Sequence, residues 1–356
     1  MSKAGYMHAL HFATPSGTAC VEVTAHDLEP ISNWLRRLSI LCLSMGALTS
    51  TAPSFAQQAY PVKPVRVVLS QGPGGTADIT IRAVGQKLAE RTGQPVLIEN
   101  RPGAGGISAL QLVSSAAPDG YTLLLMVTAH PISKSLLKSM PVDLEKDFVP
   151  ISSLALFDLV LLAKNGTPLK TIADLDRLSR TKPGGIFIGT TSVGSIQNLG
   201  AHLFNALTGF KSTIITYKTS ADILLGIRRG DLDVGFDSYS GLKGGIDSRQ
   251  VDTIAVTGPK RSTTQPDVPT MKEIGLPNYE VTGFNSLFAP AGTPAEVISL
   301  LNRHVNEIIA SKEIRERFRQ LGIEPKASTP NEMGLMLKHD MEKWAQVIKR
   351  AGIEKQ

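Results

Sequence analysis

Short apolar runs alternate with amphipathic helical patterns along most of the chain, and this alternation constrains the fold more than any other feature. The first set predicts strands at 65–69, 96–99 and 121–127, and helices at 78–92 and 107–116. Because strands that are joined through helices at short spacing run parallel, this order predicts a parallel sheet covered by helices on both faces. Asp78 is a candidate N-cap of the first helix, and Gly93 is a candidate left-handed residue at its end.

A second alternating set follows, and a helical tail ends the chain. The second set predicts strands at 159–163, 186–189, 213–217, 232–236 and 253–257, and helices at 171–180, 196–207 and 220–229. The tail predicts an extended segment at 281–289 and helices at 294–310, 312–320 and 330–350. Two sets of this kind predict two α/β lobes with a cleft between them. Since ligands of open parallel sheets bind beyond the carboxyl ends of the strands, the loops that follow strands are the candidate site. These loops are 70–78, 128–133, 190–197, 218–221 and 237–241.

The N-terminus has the residue order of a secretory signal. Arg36 and Arg37 precede an apolar run at 38–48, and the small residues Ser54 and Ala56 then form a plausible cleavage site. The run is too short for a permanent membrane span. We therefore expect residues 1–56, a signal peptide with an N-terminal extension, to be removed on export.

Cysteine usage agrees with that expectation and limits the chemistry. Both cysteines, Cys20 and Cys42, lie in the segment that is expected to be removed. The mature chain would then have no disulfide, no cysteine metal ligand and no cysteine nucleophile. Stability must come from burial of a core, which a chain of this length can supply.

Composition and motifs exclude several classes of function. The net charge is +6 over 356 residues and the basic residues are scattered, so we expect no nucleic-acid binding. The glycines at 72, 74 and 75 match neither G-x-G-x-x-G nor a phosphate-binding P-loop. No G-x-S-x-G elbow occurs, and no histidines are spaced as a metal pair. We expect a protein that is not an enzyme and that has no cofactor, no metal and no catalytic residue.

Loops that open helices carry the candidate binding residues. Glycines precede Thr76 and Asp78, and a similar opening occurs at Ser192–Ser195 and again near residue 219. Each opening offers unpaired amides and a positive dipole end to a carboxylate, although ordinary helix capping explains the same residue types. Asp78 cannot itself attract a carboxylate, so we expect it to orient its loop, accept a ligand donor or hold a water. His130 follows a strand, and either ligand contact or a place at the edge of the core is consistent with its position.

Several segments, taken in order, resemble one protein family. The matching pieces include YPVKPVRVVLSQGPGGTAD, GQPVLIENRPGAGG, APDGYTLLL, KDFVPISSL, GSIQNLGAHLF, TYKTSAD and PDVPTMKEIGLPNYE. From about residue 60 to 352 the chain resembles the Bug (TctC-like) extracytoplasmic solute receptors of tripartite tricarboxylate transporters.

That resemblance implies a type II periplasmic-binding-protein fold, in which two α/β lobes are joined by two crossing segments with a ligand cleft between them. We expect lobe 1 to comprise 57–160 and 287–356, lobe 2 to comprise 161–286, and the crossings to lie near 159–163 and 281–288. It also implies a periplasmic, monomeric receptor that captures a small organic carboxylate and delivers it to membrane permease subunits. A ligand-loaded periplasmic sensor that docks on a membrane signalling protein is the alternative.

The resemblance also implies the binding residues. Together with the loop after the third strand, it gives these candidates: Gly74, Gly75, Thr76, Asp78, Thr128, His130, Thr191, Ser192, Gly194, Ser195, Tyr217, Lys218 and Asp237. The chain departs from the family pattern at Asn198, where histidine is frequent, at His202, where glutamate is, at Thr219, where glycine is, and at Asp222, where proline is. These departures leave the fold and role intact but leave the identity of the ligand open.

Overall fold

The computed structural model describes residues 60–355, so the predicted signal segment and both cysteines lie outside the described residues. Its first α/β set contains the parallel strands β1 (Val65–Leu69), β2 (Val96–Asn100) and β3 (Thr122–Val127) in the order β2-β1-β3. The helices that follow them are α1 (Thr76–Thr92), α2 (Ile107–Ser114) and α3 (Ala129–Leu136). The apolar residues of β1 and β3 are almost entirely buried, as expected for a parallel sheet with helices on both faces.

The second α/β set lies between residues 172 and 256. Its strands are β5 (Ile186–Thr190), β6 (Ser212–Thr216), β7 (Val234–Ser238) and β8 (Val251–Val256). Its helices are α4 (Ile172–Thr181), α5 (Ile196–Thr208), α6 (Ser220–Arg229) and α7 (Tyr239–Asp247). β5 pairs in parallel with both β6 and β7, so the carboxyl ends of these three strands share one edge.

One long strand connects the two sets. β4 (Phe148–Lys164) pairs with β9 (Thr282–Pro290) as far as Asp158, and from Leu159 onward it pairs with β7 and β8. The return connection is bonded to the same point, because Thr257 N donates to Leu159 O at 2.9 Å and Leu159 N donates to Thr257 Oγ1 at 2.8 Å. Both connections therefore meet at residues 158–159, which is where the two halves join.

The chain ends in helices that cover both halves. They are α8 (Ala295–Ala310), α9 (Lys312–Gln320) and α10 (Pro330–Arg350), with the short strand β10 (Glu324–Pro325) before α10. Met333 and Leu337 of α10 pack in a buried cluster with residues of β3 and β9. Trp344 and Ile348 of the same helix pack in a different cluster with residues of α5 and β7. Since each fully buried side chain of this size contributes about 2 kcal/mol, α10 stabilises both halves.

Most predicted elements are present at or near their predicted bounds, and α6, α9 and α10 match their ranges. The prediction that α1 begins at residue 78 is wrong, because the helix begins at Thr76 and its N-cap is Gly75. The predicted loops at 128–133 and 237–241 are also wrong in part, because each enters a helix, α3 and α7, directly after its strand. The predicted boundaries of the two lobes stay a prediction.

Candidate functional site

The glycine loop delivers the chain from β1 into α1 with an open helix start. Gly74 has a φ of 84°, a left-handed conformation that glycine adopts without strain. No atom lies within 4 Å of where a Cβ on Gly74 or Gly75 would be, so the space beside this backbone is open. No side chain of residues 60–355 caps α1. Its first backbone hydrogen bond runs from Ile79 N to Gly75 O, at 3.0 Å, and three backbone N–H groups precede that bond. The N–H groups of Thr76, Ala77 and Asp78 therefore have no acceptor within α1.

Asp78 stabilises this loop through its carboxylate. Its carboxylate accepts hydrogen bonds from Gly74 N at 3.0 Å and Asn100 Nδ2 at 2.9 Å, and it forms an ion pair with Arg82 at 2.9 Å. Burial by itself raises the pKa of Asp78, but the hydrogen bonds from Arg82, Gly74 and Asn100 outweigh burial and lower it. The residue is 4% exposed, and these hydrogen bonds and the ion pair hold the loop in its conformation. The orienting role, one of the three expected of Asp78, is the one that these contacts favour.

Thr128 and His130 lie below the loop rather than beside open space. Thr128 is buried, and its hydroxyl accepts from Phe284 N at 2.7 Å. His130 is fully buried in α3, where Val127 N donates to Nδ1 at 3.2 Å and Nε2 lies 2.9 Å from Ser70 Oγ. Because Nδ1 accepts, the neutral tautomer has its proton on Nε2, which donates to Ser70. Burial lowers the pKa of His130 to about 4.

His130 therefore ties β1 to the end of β3 as an uncharged side chain. Gly106, with a φ of 72°, lies against its ring, and a Cβ there would come within 2.6 Å of Nε2. The prediction that His130 lies in a loop is wrong, because Pro131 stands in the first turn of a helix, where a missing N–H costs no hydrogen bond. Ligand contact by His130 stays a prediction, and the geometry favours the core position that the sequence also allowed.

The loop from Thr191 to Ser195 opens α5 in the second set. Ser195 caps the helix by accepting from Asn198 N at 3.1 Å, and Thr191 Oγ1 donates to Ser195 Oγ at 2.9 Å. Asn198 returns the bond by accepting from Gly194 N at 3.3 Å through Oδ1. Asn198, the first departure from the family pattern, is 2% exposed and braces this loop. Ser192 is exposed.

Gly194 brings this loop against the first half of the molecule. It has a φ of 78°, and a Cβ on it would lie 2.3 Å from Cδ2 of Leu136, at the end of α3. The loop that opens α5 is therefore in close contact with the end of α3, and no room is left for a side chain at Gly194.

The three residues before α6, at 217–219, lie in different environments. The hydroxyl of Tyr217 lies near Gly226 of α6, 3.1 Å from where its Cβ would be, so this ring packs against its own lobe. Lys218 is exposed. Thr219 caps α6 by accepting from Asp222 N at 3.2 Å, and its hydroxyl donates to Asp222 Oδ2 at 2.8 Å. Two of the departures, Thr219 and Asp222, thus act together as one helix cap.

Asp237 ends β7 as a buried carboxyl. It is 1% exposed, and its Oδ1 accepts from Gln197 Nε2 at 2.9 Å and from Ser238 N at 2.7 Å. Burial raises the pKa of Asp237, while hydrogen bonds from Ser220, Gln197 and Ser238 act in the opposite direction. Through Gln197, this carboxyl connects the start of α5 with the start of α7.

Three residues that the sequence did not single out join the predicted ones. Ser238 caps α7 by accepting from Gly241 N at 3.3 Å, and Gln197 bonds to Asp237. Ser240 Oγ lies 3.1 Å from Thr76 Oγ1, which connects the start of α7 with the start of α1. Their positions after β5 and β7 were the available signal, since the loops 190–197 and 237–241 were candidates.

A large cavity lies away from these residues. It has a volume of about 560 Å³ and is lined by the junction residues Asp158 and Thr282, by residues 259–263 and by His339 and Lys343 of α10, among others. None of the predicted site residues lines it. The open amides of α1 and the contact between Thr76 and Ser240 lie outside this cavity.

Two kinds of feature are absent from residues 60–355. No helix in that range combines the length and hydropathy of a membrane span. No group of three or more His, Cys, Asp or Glu side chains in that range is arranged to hold a metal ion.

Comparison with known proteins decides the family. The family described as tripartite tricarboxylate transporter family receptor (TctC) matches residues 80–353. The chain belongs to this receptor family. BugT of Bordetella pertussis is 31% identical over 322 residues, which cover 90% of this chain and 98% of BugT.

Solved structures agree with this assignment. Rpa4515 of R. palustris, solved with adipate, is 30% identical, has a TM-score of 0.73, and is aligned over 83% of this chain and 99% of its own. MatC (Rpa3494) from Rhodopseudomonas palustris, with bound malate, is 27% identical with a TM-score of 0.69, over 81% of this chain and 100% of its own. The periplasmic binding protein BugD is 29% identical with a TM-score of 0.70, over 83% and 100%. The predicted family and the type II periplasmic-binding-protein fold are confirmed.

Proposed function

We propose that this protein is a periplasmic receptor that binds a small organic carboxylate at the start of α1 and delivers it to the membrane subunits of a tripartite tricarboxylate-type transporter. The observation that carries the proposal is the uncapped α1 start, where the amides of Thr76, Ala77 and Asp78 lack acceptors within the helix beside the open space at Gly74 and Gly75. Such a helix start binds a carboxylate through its N–H groups and its positive dipole end.

The other helix starts of the candidate site support the choice of α1. α5, α6 and α7 are capped by the side chains of Ser195, Thr219 and Ser238, which already use amides at those starts. α3 also lacks a side-chain cap, but its start is buried at Thr128 and His130. The relatives support the ligand class, since one was solved with adipate and another with malate. Membership of a receptor family, together with a buried and hydrogen-bonded His130, supports a binding rather than a catalytic role.

Gly75→Asp is the variant that tests this assignment most sharply. Gly75 has an extended backbone (φ −78°, ψ 170°) that any residue can adopt, and its Cβ would point into open space. The new carboxylate would cap α1 and compete with a bound carboxylate for the same amides. We expect stability to stay equal or rise by a few tenths of a kcal/mol, while carboxylate affinity falls about 10- to 100-fold.

The assay is isothermal calorimetry on the exported protein with malate, adipate, tricarboxylates, amino acids, sugars and polyamines. Gly75→Ala is the matched control, because it adds the same Cβ without an acceptor, and it should bind as the wild type does. Wild-type binding of neutral or cationic solutes in place of acids would refute the receptor proposal. Unchanged acid binding by Gly75→Asp would refute the placement at α1. Capture of the membrane subunits by the loaded protein tests delivery, and capture of a signalling protein instead would favour the sensor role.

A further inference from the structure

A pair of hydroxyls joins the start of α1 to the start of α7. Thr76 is the first residue of α1, and Ser240 is the second residue of α7. Their side-chain oxygens are 3.1 Å apart, and either can be the donor. Because β1 and β7 belong to different α/β sets, this hydrogen bond joins the two halves across the candidate site.

Ser240 is held in place by its own half. Its hydroxyl donates at 3.5 Å to Ser238 Oγ, the N-cap of α7, so that Ser240 accepts from Thr76 in this arrangement. Gly241 lies so close to α6 that a Cβ on it would be 2.6 Å from Ser220 Oγ. The starts of α6 and α7 therefore pack closely against each other, and this packing holds Ser240 where it contacts Thr76.

The direction of these hydrogen bonds depends on what lies at the start of α1. A hydroxyl has one proton and two lone pairs, so Thr76 can donate either to Ser240 or to a ligand. A carboxylate only accepts hydrogen bonds, so it accepts one from the Thr76 hydroxyl, and its charge strengthens that bond. Ser240 then turns its proton from the long bond with Ser238 to Thr76, which gives a chain from Ser240 through Thr76 to the ligand. Hydrogen bonds in such a chain strengthen one another.

We propose that Ser240 is the residue that couples carboxylate binding to closure of the two lobes, as a latch on Thr76. This proposal rests on the function proposed above, since it needs an acceptor at the start of α1. A ligand shifts a conformational equilibrium only through contacts that differ between the two states. The Ser240–Thr76 bond is such a contact, because it forms only when the lobes meet. An anion that accepts from Thr76 then strengthens it. Ser240 therefore favours anionic over neutral ligands.

Ser240→Ala tests the latch, with Ser248→Ala as the matched control. Ser248 follows α7, and its hydroxyl donates at 2.6 Å to Gly244 O, within its own half of the molecule. With malate or adipate as the probe, we expect Ser240→Ala to raise the dissociation rate about 3- to 10-fold with an unchanged association rate. Ser248→Ala should leave both rates unchanged. Stopped-flow tryptophan fluorescence can follow binding, because Trp344 is the single tryptophan outside the predicted signal segment.

A double-mutant cycle separates the latch from a general loss of packing. Thr76→Val removes both the ligand contact and the latch, so Ser240→Ala should add little to it. Additive effects of Thr76→Val and Ser240→Ala would overturn the proposal, and so would wild-type rates in Ser240→Ala.

A measurement without ligand separates failure of the latch from failure of the receptor function. The mature chain is expected to lack cysteine, so spin labels can be placed at Gln86→Cys and Arg228→Cys, on exposed positions of α1 and α6. We expect Ser240→Ala to shift the label distances of the ligand-free protein toward longer values. Identical distributions in both proteins would overturn the latch, even if no acid in the panel bound and the proposed function had failed.

Discussion

Asp158 lies at the junction of the two lobes, and its replacement gives a quantitative test of the fold. It is the last residue of β4 that pairs with β9, and its Oδ1 accepts from Thr282 Oγ1 at 3.0 Å. Gly258 lies against the carboxyl so closely that a Cβ would be 2.1 Å from Oδ2. Burial, and to a smaller extent the charges of Glu280 and Glu324, raise the pKa of Asp158 from 3.8 to about 6.

The raised pKa determines the sign of the effect on stability. Between pH 3.8 and 6 the folded protein holds a proton on Asp158 that the unfolded chain has lost, so this group lowers stability as pH rises. The penalty is complete above about pH 6 and absent below the unfolded pKa. A shift from 3.8 to about 6 corresponds to about 3 kcal/mol at pH 7.5.

Asp158→Asn removes the charge and keeps the oxygen that accepts from Thr282. We expect the variant to be more stable than the wild type by up to about 3 kcal/mol at pH 7.5, which is about 5 °C in Tm for a chain of this size. The gain should shrink to nothing near pH 4. The measurement is urea unfolding of both proteins at half-unit steps from pH 4 to 7.5, which isolates this group from the other carboxyls.

Stability at pH 4 is the internal control, because residue 158 is then uncharged in both folded proteins and the two should differ little. A flat difference for Asp158→Asn across the range, or a less stable variant at pH 7.5, would show that the junction does not enclose this carboxyl as described.

Three further substitutions test other parts of the structure. Gly194→Ala should lower the free energy of unfolding by about 1–2 kcal/mol and weaken acid binding, because the φ of Gly194 is 78° and Leu136 occupies the Cβ position. Gly209→Ala is the control: its φ is 66° and its Cβ would meet open space, so it should lose stability but bind acids normally. Thr219→Ala should lower stability by about 1 kcal/mol through loss of the α6 cap, measured by thermal unfolding; an unchanged Tm would contradict the cap. His130→Gln should be less stable than the wild type at pH 7, but this deficit should shrink toward pH 4.5, because the folded pKa of about 4 makes the wild type lose stability as pH falls below 6.5. A deficit that stays constant with pH would mean that His130 is not buried in its neutral form.

Local signals determine which elements the sequence predicts well. The α10 range follows from Pro330 at the first helical position and from a capping box between Thr329 and Glu332. The end of α6 follows from Gly230, which has a φ of 86°. These signals act within a few residues, so a single sequence contains them.

Elements that depend on distant partners were not predicted. β4 runs from residue 148 to 164 rather than 159–163, since its first part is stabilised by pairing with β9, more than 120 residues away. α3 and α7 were missed because a proline in one and three glycines in the other are typical of loops. The packing of Trp344 against the second half needs the whole of α10 to be in place.

The candidate site shows the same division. The glycine loop and Asp78 could be singled out from the sequence, because a helix start after glycines has a local pattern. The contact between Thr76 and Ser240 joins residues 164 positions apart, and nothing local marks Ser240 as its partner. The closed position of Gly194 against Leu136 is likewise a tertiary contact.

The central claim is that the free amides at the start of α1 hold a carboxylate. A crystal structure of the exported protein with its tightest-binding acid tests it most directly. We predict carboxylate oxygens within about 3 Å of the N–H groups of Thr76 and Ala77. An acid bound instead in the 560 Å³ cavity beside Asp158 and Lys343, with the α1 amides facing water, would contradict the account.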